Sequence, residues 1–151
     1  MPAMPPLDGS ESLVIDCSVT MAWYFKDQAT PYTNAVRAAL ASHRAAVPAL
    51  WPLEVANVLL MGERRKRSTQ TKATKWLRFL TALPIAVDVQ TPDLAFDTIL
   101  SFARSHKLTT NDAAYLELAM RLGVPLAAKD DALEKAARAV GVPLFTPPGT
   151  P

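Results

Sequence analysis

Short apolar runs that alternate with longer stretches of helical spacing limit, more than any other feature, how this chain can fold. Leu13-Val14-Ile15 is one such run, Ala45-Ala46-Val47 a second, and Ile85-Ala86-Val87-Asp88-Val89 a third. Val124-Pro125-Leu126-Ala127-Ala128 and Val142-Pro143-Leu144-Phe145 follow near the end. Runs of this length and composition read as strands buried beneath helices. Thr30-Pro31 opens a helix to about Ser42, with threonine as N-cap and proline at the first helical position. Further helices are expected over about 51–67 and 70–82, and Thr91-Pro92 repeats the opening, with Phe96, Ile99, Leu100 and Ala103 at helical spacing. The last two helices, about 112–122 and 131–140, stop at Gly123 and Gly141. The Gly-Val-Pro-Leu that begins at each glycine marks two successive helix-to-strand joints. Strands spaced by helices predict an α/β fold with a parallel sheet covered on both faces.

At 151 residues the chain reads as one domain. The expected organisation is a loose N-terminal segment over 1–12, the domain over 13–145, and a loose tail over 146–151, because both ends are rich in turn-forming residues. A formal net charge of +2 excludes a global polycation, so any attraction to nucleic acid must be local. Cys17 is the only cysteine, which excludes an internal disulfide and a thiolate zinc site, and beside an apolar run it reads as a buried, inert thiol. His43 and His106 are too few for a histidine-rich metal centre and read as helix-surface residues. Met1–Ser12 does not look like a signal peptide, and no run approaches the ~18 apolar residues that cross a bilayer. A cytoplasmic protein with no membrane contact is expected.

Function is carried by where the acids fall. Asp16 ends the first apolar run, and Asp130 follows the strand at 124–128. Asp112 starts a helix after the polar turn Thr109-Thr110-Asn111. Parallel sheets place their functional sites at the carboxyl ends of strands, where Asp16 and Asp130 both point. Glu54 lies in Leu53-Glu54-Val55-Ala56-Asn57-Val58-Leu59-Leu60-Met61, a helix apolar nearly all round and therefore expected to be buried. Glu54 and Asn57 share a face, and no basic residue follows before Arg64. A buried carboxylate needs a partner or a proton, and an external cation would serve. Four carboxylates in one pocket raise one another's pKa, a penalty that Mg²⁺ or Mn²⁺ removes, and such ions support phosphodiester hydrolysis. Each acid also has a plain structural role open to it. Asp112 could favour a helix start through the macrodipole, Asp16 could simply end a strand, and Asp130 could be a cap. Asp131-Ala132-Leu133-Glu134 already fits a capping box, which assigns Asp131 to structure and leaves Asp130 less occupied. Asp88, Asp93 and Asp97 fit helix-start or solvated roles.

At these residues the chain resembles the PIN-domain family, especially the VapC-type toxins of bacterial toxin–antitoxin pairs. Leu13-Val14-Ile15-Asp16-Cys17-Ser18 is similar to the family's opening strand with its first metal-binding aspartate and a following serine. Pro52-Leu53-Glu54-Val55-Ala56-Asn57 resembles the second motif, Asn111-Asp112-Ala113-Ala114-Tyr115 the third, and Leu126-Ala127-Ala128-Lys129-Asp130 the fourth. The family often has Ser or Thr where this chain has Ala128, and Ser18 or Thr110 could compensate. The resemblance implies a three-layer α/β/α sandwich with four or five parallel strands and an acidic pocket for Mg²⁺ or Mn²⁺. It also implies endoribonuclease activity, a homodimer, and a small antitoxin that covers the site. On this reading Asp16, Glu54, Asp112 and Asp130 hold the metal, with Ser18, Asn57 and Thr110 behind them.

Glu63-Arg64-Arg65-Lys66-Arg67 with Lys72, Lys75 and Arg78 could form a ridge that grips RNA phosphates, or a solvated helix end. Trp51 reads as core, whereas Trp23 and Trp76 are open to stacking on bases, and Trp23-Tyr24-Phe25 suits a partner groove or ordinary core equally. Two rivals stand beside the nuclease. One is a non-catalytic PIN-like protein that binds RNA or a partner. The other is a haloacid-dehalogenase-type phosphatase, which usually carries a second aspartate where this chain has Ser18.

Overall fold

The computed structural model describes residues 3–149, so the outermost ends of the two predicted terminal segments lie outside the described residues. Among the described residues four short strands, β1 (Leu13–Ile15), β2 (Ala45–Val47), β3 (Ile85–Val87) and β4 (Leu126–Ala127), form a parallel sheet in the order β3-β2-β1-β4. Leu13 lies opposite Ala45, Ala45 opposite Ile85, and Val14 opposite both Ala46 and Leu126. Every strand residue except Val87 is buried, as a sheet covered on two faces requires.

The described residues also form eight helices around it: α1 (Cys17–Ala22), α2 (Pro31–Ala39), α3 (Trp51–Arg64), α4 (Gln70–Thr81), α5 (Thr91–Leu94), α6 (Leu100–His106), α7 (Thr110–Leu122) and α8 (Asp131–Ala139). A 3-10 turn spans Lys26–Gln28, and a π-helical turn, Ala95–Ile99, joins α5 to α6. α1 packs on α2 and α3, whereas α7 packs on α6, α8, β1 and β4. The α/β class is as expected. The strand order makes the point between β1 and β4 special. From β1 the chain crosses to β2 on one side, while β4 returns on the other, so the two carboxyl ends flank a crevice.

Prolines decide where the sheet ends. The run at 142–145 does not become a fifth strand and makes a single parallel bridge from Leu144 to Leu126. Pro143 accepts from the Leu126 N–H at 2.9 Å but has no N–H to return. Pro125, just before the two-residue β4, accepts from the Val14 N–H at 2.9 Å and likewise has no N–H to return. On the opposite edge, residues 3–12 are tethered rather than loose. The Val87 N–H donates to the Pro5 carbonyl at 2.9 Å, and the buried Glu11 carboxylate accepts from the N–H groups of Asp8 and Gly9 with Arg44 3.6 Å away.

Local capping follows the sequence at α2, where Thr30 and Thr33 satisfy each other's backbone N–H groups. It departs at α5. Thr91 is not the cap: its hydroxyl donates to Asp88 and accepts from the Ala49 N–H, while the Asp88 carboxylate accepts from Gln90 N–H. Asp88, expected in a helix-start or solvated role, instead precedes the cap Gln90, is buried and is paired with Arg121 at 2.5 Å, which in turn holds the buried Glu117 at 2.6 Å. Trp51 is core, as read from sequence. Trp23 is core too, its indole N–H donating to the Thr33 carbonyl at 2.8 Å, and Phe25 is buried beside it. Trp76 is half-buried against the Tyr24 ring.

Candidate active site

Asp16 leaves the end of β1 and immediately caps α1, a helix too short to show in the sequence. Its Oδ1 accepts from the Val19 N–H at 2.9 Å, and the Ser18 hydroxyl donates to its carboxylate at 2.8 Å. The residue is only 4% exposed. Burial raises its carboxyl to about 6, and the Asp112 charge adds to this against the lowering effect of Val19, Ser18 and the Lys129 N–H. Asp16 is therefore both structural and poised.

Glu54 sits in the first turn of α3, but the expectation that this helix is buried all round is not met. Trp51, Val55, Leu59 and Gly62 face the core, whereas Leu53 is 76% exposed and Leu60 42%. Glu54 lies at the boundary, half-buried. The partner missing from its sequence neighbourhood comes from α7: the Tyr115 hydroxyl donates to Glu54 Oε1 at 2.5 Å. Burial raises the Glu54 carboxyl, Asp112 raises it further, and Tyr115 and Asn111 oppose the shift. Tyr115 itself is buried, and burial beside Glu54 keeps its hydroxyl protonated as the donor.

Asp112 follows Thr109, the cap of α7, so it starts the helix three residues before Tyr115 and shares its face. Burial and then the Asp130 charge raise its carboxyl. Asp130 corrects the sequence reading. It, and not Asp131, is the N-cap of α8, accepting from the Leu133 N–H at 2.9 Å, and Asp131 is the first helical residue. The backbone leaves β4 in extended conformation and must turn at Asp130, which puts its carboxylate over the first free N–H groups of the helix.

All four acids line one cleft of about 430 Å³, together with Cys17, Ser18, Met21, Gln28, Val58 and Tyr115. Three of the four have carboxyls raised by burial and by one another, the signature of like charges gathered in one place. The donors are hard oxygens, suited to Mg²⁺ or Mn²⁺. As positioned, no group of three His, Cys, Asp or Glu side chains among the described residues is arranged to hold a metal ion outright. In these positions Asp16 and Asp130 accept the cap bonds of their helices and Glu54 accepts from Tyr115. The donor chemistry fits an ion.

The three supporting residues separate. Ser18 is bonded to Asp16. Thr110 lines a different, apolar cavity with Leu50, Phe96 and Ile99, so it does not stand in for the hydroxyl absent at the buried Ala128. Asn57 is exposed and lines a neighbouring groove with Phe25, Gln28, Val58, Met61, Arg65 and Arg67 rather than the acidic cleft. That groove shares Gln28 and Val58 with the acidic cleft, and beyond it a basic groove is lined by Tyr24, Lys26, Arg67 and Lys72. Arg64, Lys66 and Lys75 are exposed but line none of these three grooves. Of the predicted ridge, only Arg65, Arg67 and Lys72 adjoin the site.

Sequence reasoning gave no role to Tyr115, although its spacing from Asp112 carried the signal. Gln28 and Met21 had no signal. Cys17, read as buried, is half-buried at the cleft wall, and burial beside Glu54 and Asp16 pushes its thiol up to about 12, so it stays protonated.

A family model described as PIN domain matches residues 13–139. No curated protein matches the sequence. Among solved structures, the crystal structure of PAE2754 from Pyrobaculum aerophilum is similar over 89% of this chain and 88% of its own, with a TM-score of 0.61 and 20% identity. At that identity the likeness is one of fold. No helix among the described residues is long and apolar enough to cross a membrane.

Proposed function

The chain belongs to the PIN-domain family, whose model covers residues 13–139, and on that premise we propose that it is a Mg²⁺- or Mn²⁺-dependent endoribonuclease. The observation that carries the reading is the convergence of Asp16, Glu54, Asp112 and Asp130 on one cleft from four separate elements. These carboxylates would hold the ion. When bound, it supplies the positive charge that lets them ionise together and the Lewis acidity that phosphodiester hydrolysis needs. Ser18 fixes the Asp16 carboxylate, and Tyr115 fixes that of Glu54. Arg65, Arg67 and Lys72 neutralise backbone phosphates beside the cleft without reading bases. Water attacks the phosphorus in line, and the bond to the 3′-oxygen breaks, so products carry 5′-phosphate and 3′-hydroxyl ends. Products with only 2′,3′-cyclic phosphate would exclude this chemistry.

In the same reading the protein is the cytoplasmic toxin of a type II, VapBC-like pair, acts as a homodimer and is held by a small antitoxin. Supporting a partner are an apolar cavity of about 560 Å³ beside α5 and α7 and the 93% exposed Phe96 on its wall. A second reading, a PIN-like protein that binds without cutting, is favoured by one observation: the buried Ala128 brings no hydroxyl where the family often carries Ser or Thr. One experiment separates them. End-labelled RNAs are incubated with Mg²⁺, Mn²⁺ or EDTA, beside an Asp16→Asn control. Metal-dependent cleavage lost in the control supports the nuclease, whereas RNA binding with neither cleavage nor metal binding supports the binding module.

A further inference from the structure

The 3-10 turn Lys26–Gln28 lies at the junction of the two chemistries. Gln28 lines the acidic cleft, and its carbonyl accepts from Lys129 Nζ at 2.9 Å, next to Asp130. Lys26 lines the basic groove. Between them Asp27 reaches Arg67, whose Nη2 donates to both carboxylate oxygens at 2.9 and 3.1 Å. The guanidinium also lies 4.8 Å over the Phe25 ring, a cation–π contact that favours this placement. That ring is itself fixed: it is buried, meets Tyr24 edge to face, and lies against Gly62, where a Cβ would stand 2.9 Å from Phe25 Cζ. Arg67 is thus aimed by packing and occupied by a carboxylate 68% exposed on its side chain.

We infer that Asp27 is a restraint on RNA binding, a resident anion that holds the place of a backbone phosphate on Arg67. The inference rests on the nuclease reading for the identity of the ligand and extends it to regulation of the same track. A phosphate entering the basic groove must displace Asp27, and until then one of the groove's three cations, Lys26, Arg67 and Lys72, is neutralised. Stacking does not substitute for that contact, because the Phe25 face is taken by Arg67 and Tyr24 packs on Phe25 and Trp76. The grip is therefore on phosphates and tolerant of sequence.

The test is fluorescence anisotropy of a labelled single-stranded 12-mer RNA with the full chain in EDTA, which separates binding from cleavage. Asp27→Asn should bind about two- to five-fold tighter than wild type at low salt, the range of an exposed ion pair. Arg67→Gln should abolish the gain in the double variant. Weaker or unchanged binding by Asp27→Asn overturns the inference, as does a gain that survives Arg67→Gln. Tightening towards an Asp/Glu-rich peptide but not towards RNA also overturns it and assigns the groove to a protein segment. Cleavage by wild type in Mg²⁺ is scored separately, so a failure of the restraint is distinguishable from a failure of the nuclease reading.

Discussion

Replacing Asp16 by asparagine should abolish cleavage and yet stabilise the fold at neutral pH. In the native chain the Asp16 carboxyl is raised from 3.8 to about 6, with burial as the leading cause. Below pH 3.8 the group is protonated in both folded and unfolded chains and contributes nothing. Between 3.8 and 6 the native state holds a proton that the unfolded chain releases, so stability falls as pH rises, and above 6 the cost is complete. At about 1.36 kcal/mol per pKa unit the cost at pH 7 is of order 3 kcal/mol. Asparagine keeps the cap on Val19, since its amide oxygen is an equivalent acceptor, and loses the charge assistance at Ser18 and at the Lys129 N–H, which offsets part of the gain. A net gain of about 1–3 kcal/mol remains, which for a chain of this size raises Tm by roughly 3–10 °C. The assay is thermal melting of wild type and Asp16→Asn in EDTA from pH 4 to pH 8. The advantage of the asparagine variant should be full at pH 7 and absent near pH 4. A variant no more stable than wild type at pH 7, or an advantage that does not shrink on acidification, would refute the argument.

Three further outcomes follow from the same geometry. Tyr115→Phe removes the 2.5 Å donor to Glu54, so the acidic limb of the pH–rate profile should move up and activity fall by about tenfold or more. Ser18→Ala should cost about tenfold in cleavage, while Thr110→Ala, in the other cavity, leaves the rate near wild type; equal effects would undo the separation of the two hydroxyls. Arg121→Met strands Asp88 and Glu117 without their cation and should cost about 3–5 kcal/mol in urea unfolding at pH 7. Adding Asp88→Asn and Glu117→Gln should recover much of that loss.

The elements were largely legible because their signals are local. Apolar runs, the Thr30-Pro31 opening and the glycine stops depend on residues within one or two turns, so strands β1 to β4 and helices α2, α7 and α8 fall close to their expected ranges. Errors arose where two residues compete for one role. Asp130 and Asp131 both suit a cap, and only the extended backbone leaving β4 decides for Asp130. α3 looked apolar all round because its exposed leucines are indistinguishable in sequence from its buried ones. The fifth run resembled a strand until proline removed the donor it would need.

The sequence by itself determined which acids end or begin elements, since strand ends and helix starts are short-range properties. Only the tertiary structure decided which of them meet. Tyr115 reaches Glu54 across 61 residues, and Arg67 reaches Asp27 across 40. Such meetings depend on strand order, crossover direction and packing, which no local pattern encodes. The same is true of separations: Asn57 and Thr110 stand close in sequence to site acids, and the rotation of their helices turns them into other grooves.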